Sequence, residues 1–563
     1  MKKTRRFASL ATAAILAACA VVPATMSALP VSAVTAGTVT FVKIGTDDKA
    51  THTYNAYQIF SGSVDDKGTL TNVQWANVDK GAAFLTALKD DTTIGGSFAD
   101  CETAAAVAAV LGKEEANSTL LQNFATFAAS QKGSLKAVND KAADSIKVTE
   151  DGYYLFEDVS DLTGDNATGA KTRYLIAQVD AETGLDITVK SSLPSVEKKI
   201  KENTKNVAYG SETNETEAYV GTGYNDVADY NIGDAVPFKL IGTLPSTLDD
   251  YKTYKYTFHD TLGKEFTTPA QGDIKVSCKT GDTVTDITNK ATITVTAATA
   301  TEGAKINVEF TDIKTAGATK DSIITVEYNA VLSSGAVIGL NGQTNEVYLE
   351  YSNNPNVGGE GETGNTPVDK VIAFTYELDV NKVDANTKDA LKGAKFKLQA
   401  ADGDHANQWA KLTKNSDGNY TVSGWTTDET AATEFENKTG NTFAVIGLDS
   451  GTYNLKETVA PSGYKTPDKA FKVELTATTV NNQDWDTFTA SDALTALTVK
   501  LDNVDGTVDE NKGIGTVTVG NSSGSTLPST GGIGTTIFYV AGGVLVVGAG
   551  VLLITKKRAK DAQ

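Results

Sequence analysis

The chain has 563 residues, more than one compact core accommodates, and at roughly 150 residues per domain it divides into three or four units. Its 70 acidic against 50 basic residues leave a net charge of −20, the wrong sign for tracking a phosphate backbone, so nucleic acid is not an expected partner. Three cysteines and three histidines are too few for a disulfide framework or a many-ligand metal site in any one domain, and no cofactor is expected.

In chain order, Lys2, Lys3, Arg5 and Arg6 precede a small-residue apolar run reaching about Val22, and Val31-Ser32-Ala33 forms a small-x-small cleavage site. Residues 1–33 therefore read as a secretory signal peptide. Leu16-Ala17-Ala18-Cys19 offers a rival reading as a lipidation site at Cys19, ranked lower because the other terminus supplies an anchor.

Residues 34–193 mix alternating apolar stretches at 39–44, 153–156 and 174–179 with helical ones at 102–111 and 120–129, the latter with Ser118 as N-cap. This unit reads as α+β. In 194–355 and 370–521 nearly every apolar run alternates at period two, is rich in Thr, Val and Tyr, and is broken by Gly, Asp and Asn. Both read as Ig-like β-sandwiches, making the chain mainly β. Between them, 356–369 carries Gly358, Gly359, Gly361, Gly364 and Pro367 without periodicity and is expected to be a linker. Cys101 and Cys278 fall in different units and are expected to be unpaired. His52, His259 and His405 are scattered over three units, which argues against an enzyme.

Residues 527–563 open with Leu527-Pro528-Ser529-Thr530-Gly531, continue through a nineteen-residue apolar run at 537–555, and close on Lys556, Lys557, Arg558 and Lys560. The run is about 28 Å long as a helix, enough to cross a bilayer. The positive charge after it holds the C-terminus inside and everything before it outside.

Side-chain parity within the sandwiches puts polar groups on apolar faces. In 370–521, Lys382 shares a face with Tyr376, Leu378 and Val380, Glu457 with Tyr453 and Leu455, and Asn521 with Val517 and Val519. In 194–355 the same trio recurs: Lys198 with Val196 and Ile200, Asp260 with Tyr254, Tyr256 and Phe258, and Asn353 with Val347, Leu349 and Tyr351. Asn503 and Asn345 have the same inward parity and are the reserve amides. Any one such residue is more simply a buried ion pair or a lysine reaching out at a strand end. A repeated lysine, acid and asparagine set points to chemistry. Burial lowers an ammonium pKa and raises a carboxyl pKa, so the pair can be neutral amine and neutral acid. The amine can then attack the Asn amide carbon while the acid polarises the carbonyl and moves protons, releasing ammonia and leaving an isopeptide bond. In the first unit Lys43 and Asp158 lack a well-placed Asn, and no bond is expected there.

The Leu527–Gly531 pentapeptide, followed by the apolar run and basic tail, resembles the L-P-x-T-G sorting signal of Gram-positive surface proteins, in which a sortase cuts between the residues corresponding to Thr530 and Gly531. The Tyr453-Asn454-Leu455-Lys456-Glu457-Thr458 stretch, with Ala460, Pro461, Gly463 and Tyr464, resembles the E-box of sortase-assembled pilins. The Lys382 strand with Leu391, Gly393, Ala394 and Phe396 is similar to the start of a CnaB-type domain. Leu349 to Pro355 resembles the end of the isopeptide-forming middle domain of pilus shaft subunits, and Tyr57-Gln58-Ile59-Phe60 resembles part of their first domain. The resemblance implies a pilus backbone subunit with Asp260 and Glu457 as bond-promoting acids. It further implies a pilus sortase, a housekeeping sortase, identical subunits and peptidoglycan as partners, and leaves room for a host-surface ligand. The family's Y-P-K-N-type motif, whose lysine attacks the next subunit's threonine, is absent. Lys190, turned outward by inward Ile187 and Val189, is the candidate substitute, with Lys199 the runner-up. A monomeric wall-anchored adhesin is the alternative function.

Overall fold

A computed structural model describes residues 37–44, 47–138, 141–203, 220–221, 223–357, 362–436, 440–480, 490–523 and 533–560. The signal peptide and the Leu527–Gly531 motif lie outside the described residues.

In the first unit, the strand Thr38–Ile44 runs between Ser145–Lys147 and Leu185–Lys190, parallel to the latter. A second sheet is built on the long strand Thr53–Val64, flanked by Leu70–Trp75 and by Gly152–Asp158, which pairs onward with Leu175–Val179. Helices Gly81–Asp90, Ala104–Leu111 and Thr119–Ser130 pack on one face of it, burying Phe84, Phe98, Phe124 and Phe127. Val39, Phe41, Tyr54, Tyr154 and Phe156 form a second core between the sheets. Ser118 caps its helix by accepting from the Leu121 amide. The helix expected from residue 102 begins at Ala104, because the Thr103 hydroxyl takes the Ala106 amide and stops it there.

The middle unit is a sandwich. One sheet holds Val196–Lys201, Ala235–Thr243, Ser322–Val331 and Lys275–Thr280 in that order, and the facing one holds Asp369–Phe374, Gln343–Ser352, Tyr256–Leu262 and Lys305–Phe310. The stretch expected as a linker departs from that expectation. Thr363–Asn365 and Asp369–Phe374 both pair with Gln343–Ser352, and Asp369–Phe374 also pairs with Val227–Asp229. The reason lies in Val371, Ile372, Ala373 and Phe374, all 0–1% exposed: this apolar run completes the middle core. The boundary expected at 370 consequently falls at Thr375.

In the last unit the first strand, Tyr376–Asp384, lies between Thr442–Leu448 and the final strand Ile514–Asn521, and pairs with that final strand in parallel register. The other strands curl back over this trio, with Gly451–Val459 flanked by Lys395–Ala400 and Phe471–Thr479. The two sandwiches bury one continuous apolar cluster across their joint. There the Ile232 amide donates to the Gly447 carbonyl at 3.0 Å. Gly447 has φ +87°, and a Cβ on it would sit 2.5 Å from the Ile232 side chain, so only glycine admits this approach. The Asp449 amide donates to Asn231 Oδ1 at 3.0 Å, and the carboxyls of Asp229, Asp449 and Glu202 are buried together beside it.

The helix Ile533–Lys560 contains an apolar stretch, Thr536–Lys560, long enough to cross a membrane. Cys101 and Cys278 are both buried and unpaired.

Candidate functional site: two buried lysine, acid and amide clusters

In the last sandwich the alternation of Tyr376–Asp384 drives Lys382 into the core, where its side chain is fully shielded from solvent. The parallel register sets Lys382 opposite Val519 and Asp384 opposite Asn521. Lys382 Nζ donates to Asn521 Oδ1 at 2.8 Å and to the Val519 carbonyl at 3.1 Å. Glu457 arrives from the opposite wall, accepting from Asn521 Nδ2 at 3.2 Å and standing 3.9 Å from Lys382 Nζ. Burial raises the Glu457 carboxyl above its ordinary value against the opposing Lys382 charge, and lowers the Lys382 amine against the pull of Glu457. Both shifts favour the neutral pair. Asn503, the reserve amide, sits exposed in a left-handed turn at φ +68°, outside this core.

The middle sandwich assembles its cluster across the gap between its sheets. Lys198, 0% exposed, reaches from the strand Val196–Lys201 to Asp260 on the facing sheet, with Nζ 2.7 Å from Oδ2. Tyr328, in the same sheet as Lys198 but one strand beyond Ala235–Thr243, accepts from Lys198 Nζ at 3.4 Å and donates to Asp260 Oδ2 at 2.8 Å. The amide delivered to this hydroxyl belongs to Asn345, whose Nδ2 donates to Tyr328 Oη at 2.8 Å. Burial lowers Lys198 to about 8, with Asp260 opposing, and raises Asp260, with Lys198 opposing.

The structure therefore brings Asn345 to this cluster, and not Asn353, the expected partner of Lys198. Parity alone did not separate them, because both face inward. The register does: Asp260 lies opposite Val347, two positions from Asn345 and six from Asn353, a distance of about 20 Å along the strand. Asn353 is buried at the joint with the first unit, where its carbonyl accepts from the Lys171 amide at 2.7 Å. Tyr328 is the residue that parity reasoning missed, although it shares the inward face of Ser322–Val331 with Ile324 and Val326.

Three family descriptions match separate parts of the chain: a Gram-positive pilin backbone subunit 2, Cna-B-like domain over 232–355, a prealbumin-like fold domain over 376–487, and an LPXTG cell wall anchor motif over 521–561. The segment 232–355 is thus similar to the backbone subunits of Gram-positive pili. The trypsin-resistant surface T6 protein of Streptococcus pyogenes is 25% identical to this chain over 284 residues, 41% of the chain, and the match spans about half (48%) of that relative's length. Among solved structures, the T6 backbone pilin of Streptococcus pyogenes is 16% identical with a TM-score of 0.48, covering 88% of this chain and 100% of that one. The pilus 2b backbone protein of group B streptococcus is 26% identical with a TM-score of 0.36, covering 54% and 97%. The major pilin SpaD of Corynebacterium diphtheriae is 17% identical with a TM-score of 0.43, covering 87% and 98%. The anchor motif over 521–561 marks the chain as a cell-wall-anchored surface protein.

The two candidate polymerisation lysines differ in their surroundings. Lys190 ends the strand Leu185–Lys190, is exposed, and lines a shallow recess with Lys171, Arg173, Thr247 and Asp250 where the first unit meets the middle sandwich. Lys199 is drawn down instead, its side chain 15% exposed and its Nζ 2.7 Å from Asp226. Among the described residues, no group of three or more His, Cys, Asp or Glu side chains is arranged to hold a metal ion.

Proposed function

We propose that this chain is the shaft subunit of a covalently polymerised surface fibre, and that each sandwich closes itself with one lysine to asparagine isopeptide bond. The observation that carries the second part is the Lys382 amine, 2.8 Å from the Asn521 amide oxygen with Glu457 on the other side of that amide. The neutral amine attacks Asn521 Cγ, the amide nitrogen leaves as ammonia, and the amine proton passes through Glu457 to that leaving group. In the middle sandwich Lys198 attacks Asn345, with Asp260 and Tyr328 relaying the proton.

Between subunits, the thiolate of a pilus sortase attacks the Thr530 carbonyl and Gly531 departs as a free amine. Lys190 of the next subunit then displaces the thiolate, losing a proton, and leaves an amide between the chains. A housekeeping sortase joins the last subunit to peptidoglycan by the same exchange. The alternative function, a monomeric wall-anchored adhesin, needs no acceptor lysine. Full-length chain produced with its sortase should form a ladder of SDS-resistant species that Lys190→Ala abolishes, and a single wall-anchored band in the wild type would favour the adhesin.

Intact mass tests the internal bonds. Two ammonia molecules should be missing from the folded protein. Glu457→Ala and Asn345→Ala should each restore one, whereas Asn353→Ala should restore none. A wild-type chain of full calculated mass would remove the mechanism.

A further inference from the structure

The joint between the first unit and the middle sandwich contains a third buried ionic cluster that the isopeptide chemistry does not use. We infer that Asp48, His52 and Asp158 form a positioning device for Lys190, an inference that rests on Lys190 being the acceptor of the inter-subunit bond. His52 is buried between two carboxylates, its Nδ1 donating to Asp158 at 2.8 Å and its Nε2 to Asp48 at 3.1 Å. Burial opposes its charge, but the bonds to Asp158 and Asp48 outweigh it and raise the imidazole to about 9. The ring is charged at neutral pH, and both carboxylates are held ionised, below their ordinary range.

Asp48 then bridges the two sides of the recess, and Asp158 holds the second of them. Asp48 accepts from the hydroxyl of Ser191, the residue that follows Lys190, and from the Ala170 amide at 3.4 Å. Asp158 accepts from the Thr172 amide at 2.9 Å and from its hydroxyl. Residues 168–174 are the strap that docks on the middle sandwich. Tyr351 Oη donates to the Thr168 carbonyl at 2.6 Å, Asn356 Nδ2 donates to the Thr172 carbonyl at 2.9 Å, and the Tyr174 amide donates to Asn356 Oδ1 at 2.9 Å. One network thus fixes the wall that bears Lys190 and the wall opposite it. Lys190 keeps an exposed side chain on a fixed base. An attacking amine on such a base searches fewer arrangements before meeting an acyl group brought by another chain.

The test uses the full chain, produced with its pilus sortase, as wild type, Ser191→Ala, Ser191→Thr and His52→Gln. It reads the polymerised fraction, the lysine found in the cross-linked peptide, and the two internal ammonia losses that report folded sandwiches. Ser191→Ala should lower polymerisation roughly five-fold or more and spread cross-links to other lysines of the joint such as Lys171. Ser191→Thr, which keeps the hydroxyl, should restore the wild-type yield on Lys190, and His52→Gln should behave like Ser191→Ala. A Ser191→Ala chain polymerising at the wild-type rate on Lys190 alone overturns the inference while leaving the acceptor in place. The same follows if Ser191→Thr fails as badly as Ser191→Ala. A wild-type cross-link on another lysine overturns the acceptor itself, and the inference with it. Ser191→Ala decides the matter even if His52→Gln fails to accumulate.

Discussion

Tyr328 stands between the two reacting side chains of the middle sandwich, with Lys198 and Asn345 donating to its oxygen and Asp260 accepting its proton. Glu457 touches its amide directly, whereas Asp260 reaches Asn345 only through this hydroxyl. Tyr328→Phe should therefore slow the middle bond selectively. A hydrogen bond to a charged or developing charge contributes about 1.5–3 kcal/mol, so loss of ammonia from that domain should slow roughly ten- to hundred-fold, followed by mass against time after refolding. The last domain should close at its usual rate, and equal slowing of both would place the hydroxyl outside the chemistry. The lysines and acids were legible because alternation along a strand reads burial directly. The choice between Asn345 and Asn353 was not, because it depends on how far one strand slides past another, and sliding by two residues preserves every inward face. The order of apolar residues in a single strand carries no record of that slide.

At the scale of elements, the joint between the sandwiches rests on the buried carboxyls of Asp229, at the end of Val227–Asp229, and Asp449, in the turn after Thr442–Leu448. Glu202 accepts from the Asp229 amide at 3.1 Å, Asn231 accepts from the Asp449 amide, and the Asp234–His405 pair at 2.7 Å lies alongside. Burial raises both aspartates above the usual 3.8, and the two carboxyls hydrogen-bond to one another, an arrangement that needs a shared proton. A raised carboxyl contributes its full stability below the unfolded pKa and loses it as pH climbs through the folded value. The joint should accordingly weaken as pH rises above about 4. Asp449→Asn supplies a permanent N–H in place of the proton, so the melting temperature at pH 7–8 should rise by roughly 2–4 °C and its decline toward alkaline pH should flatten. An unchanged pH slope in calorimetry would count against the shared proton. The joint was also where composition misled most. Glycine and proline in 356–369 read as a linker, yet the apolar run that follows was enough to pull Asp369–Phe374 into the middle sheet. Only the fold reveals that the chain passes from one sandwich to the next at Thr375.

For the whole molecule, the two proposed bonds differ in what they would leave exposed to tension. Closing the segment between Lys382 and Asn521, 139 positions apart, would contribute roughly 5 kcal/mol against unfolding by the chain-entropy model. In the middle sandwich the bonded amide comes before the end of the domain, and residues 346–374 lie between it and the next unit. Under a stretching load those strands can peel while the rest holds. Single-molecule pulling should give one extension of roughly 100 Å from this segment and none from the last sandwich. Lys198→Ala should convert the short extension into full unfolding of the middle unit, and a wild-type trace showing complete unfolding of both sandwiches would contradict the closures.

The parallel pairing of the last unit's first and final strands carries one more consequence. With Lys382 and Asn521 joined as proposed, tension entering at Tyr376 would cross between them and leave at once, so the intervening 138 residues, 383–520, would hang beside the cable and never bear it. Such a stretch can be redecorated freely, exchanging loops and outward side chains under pressure from whatever recognises the cell, while the tensile line through the fibre stays as strong as before.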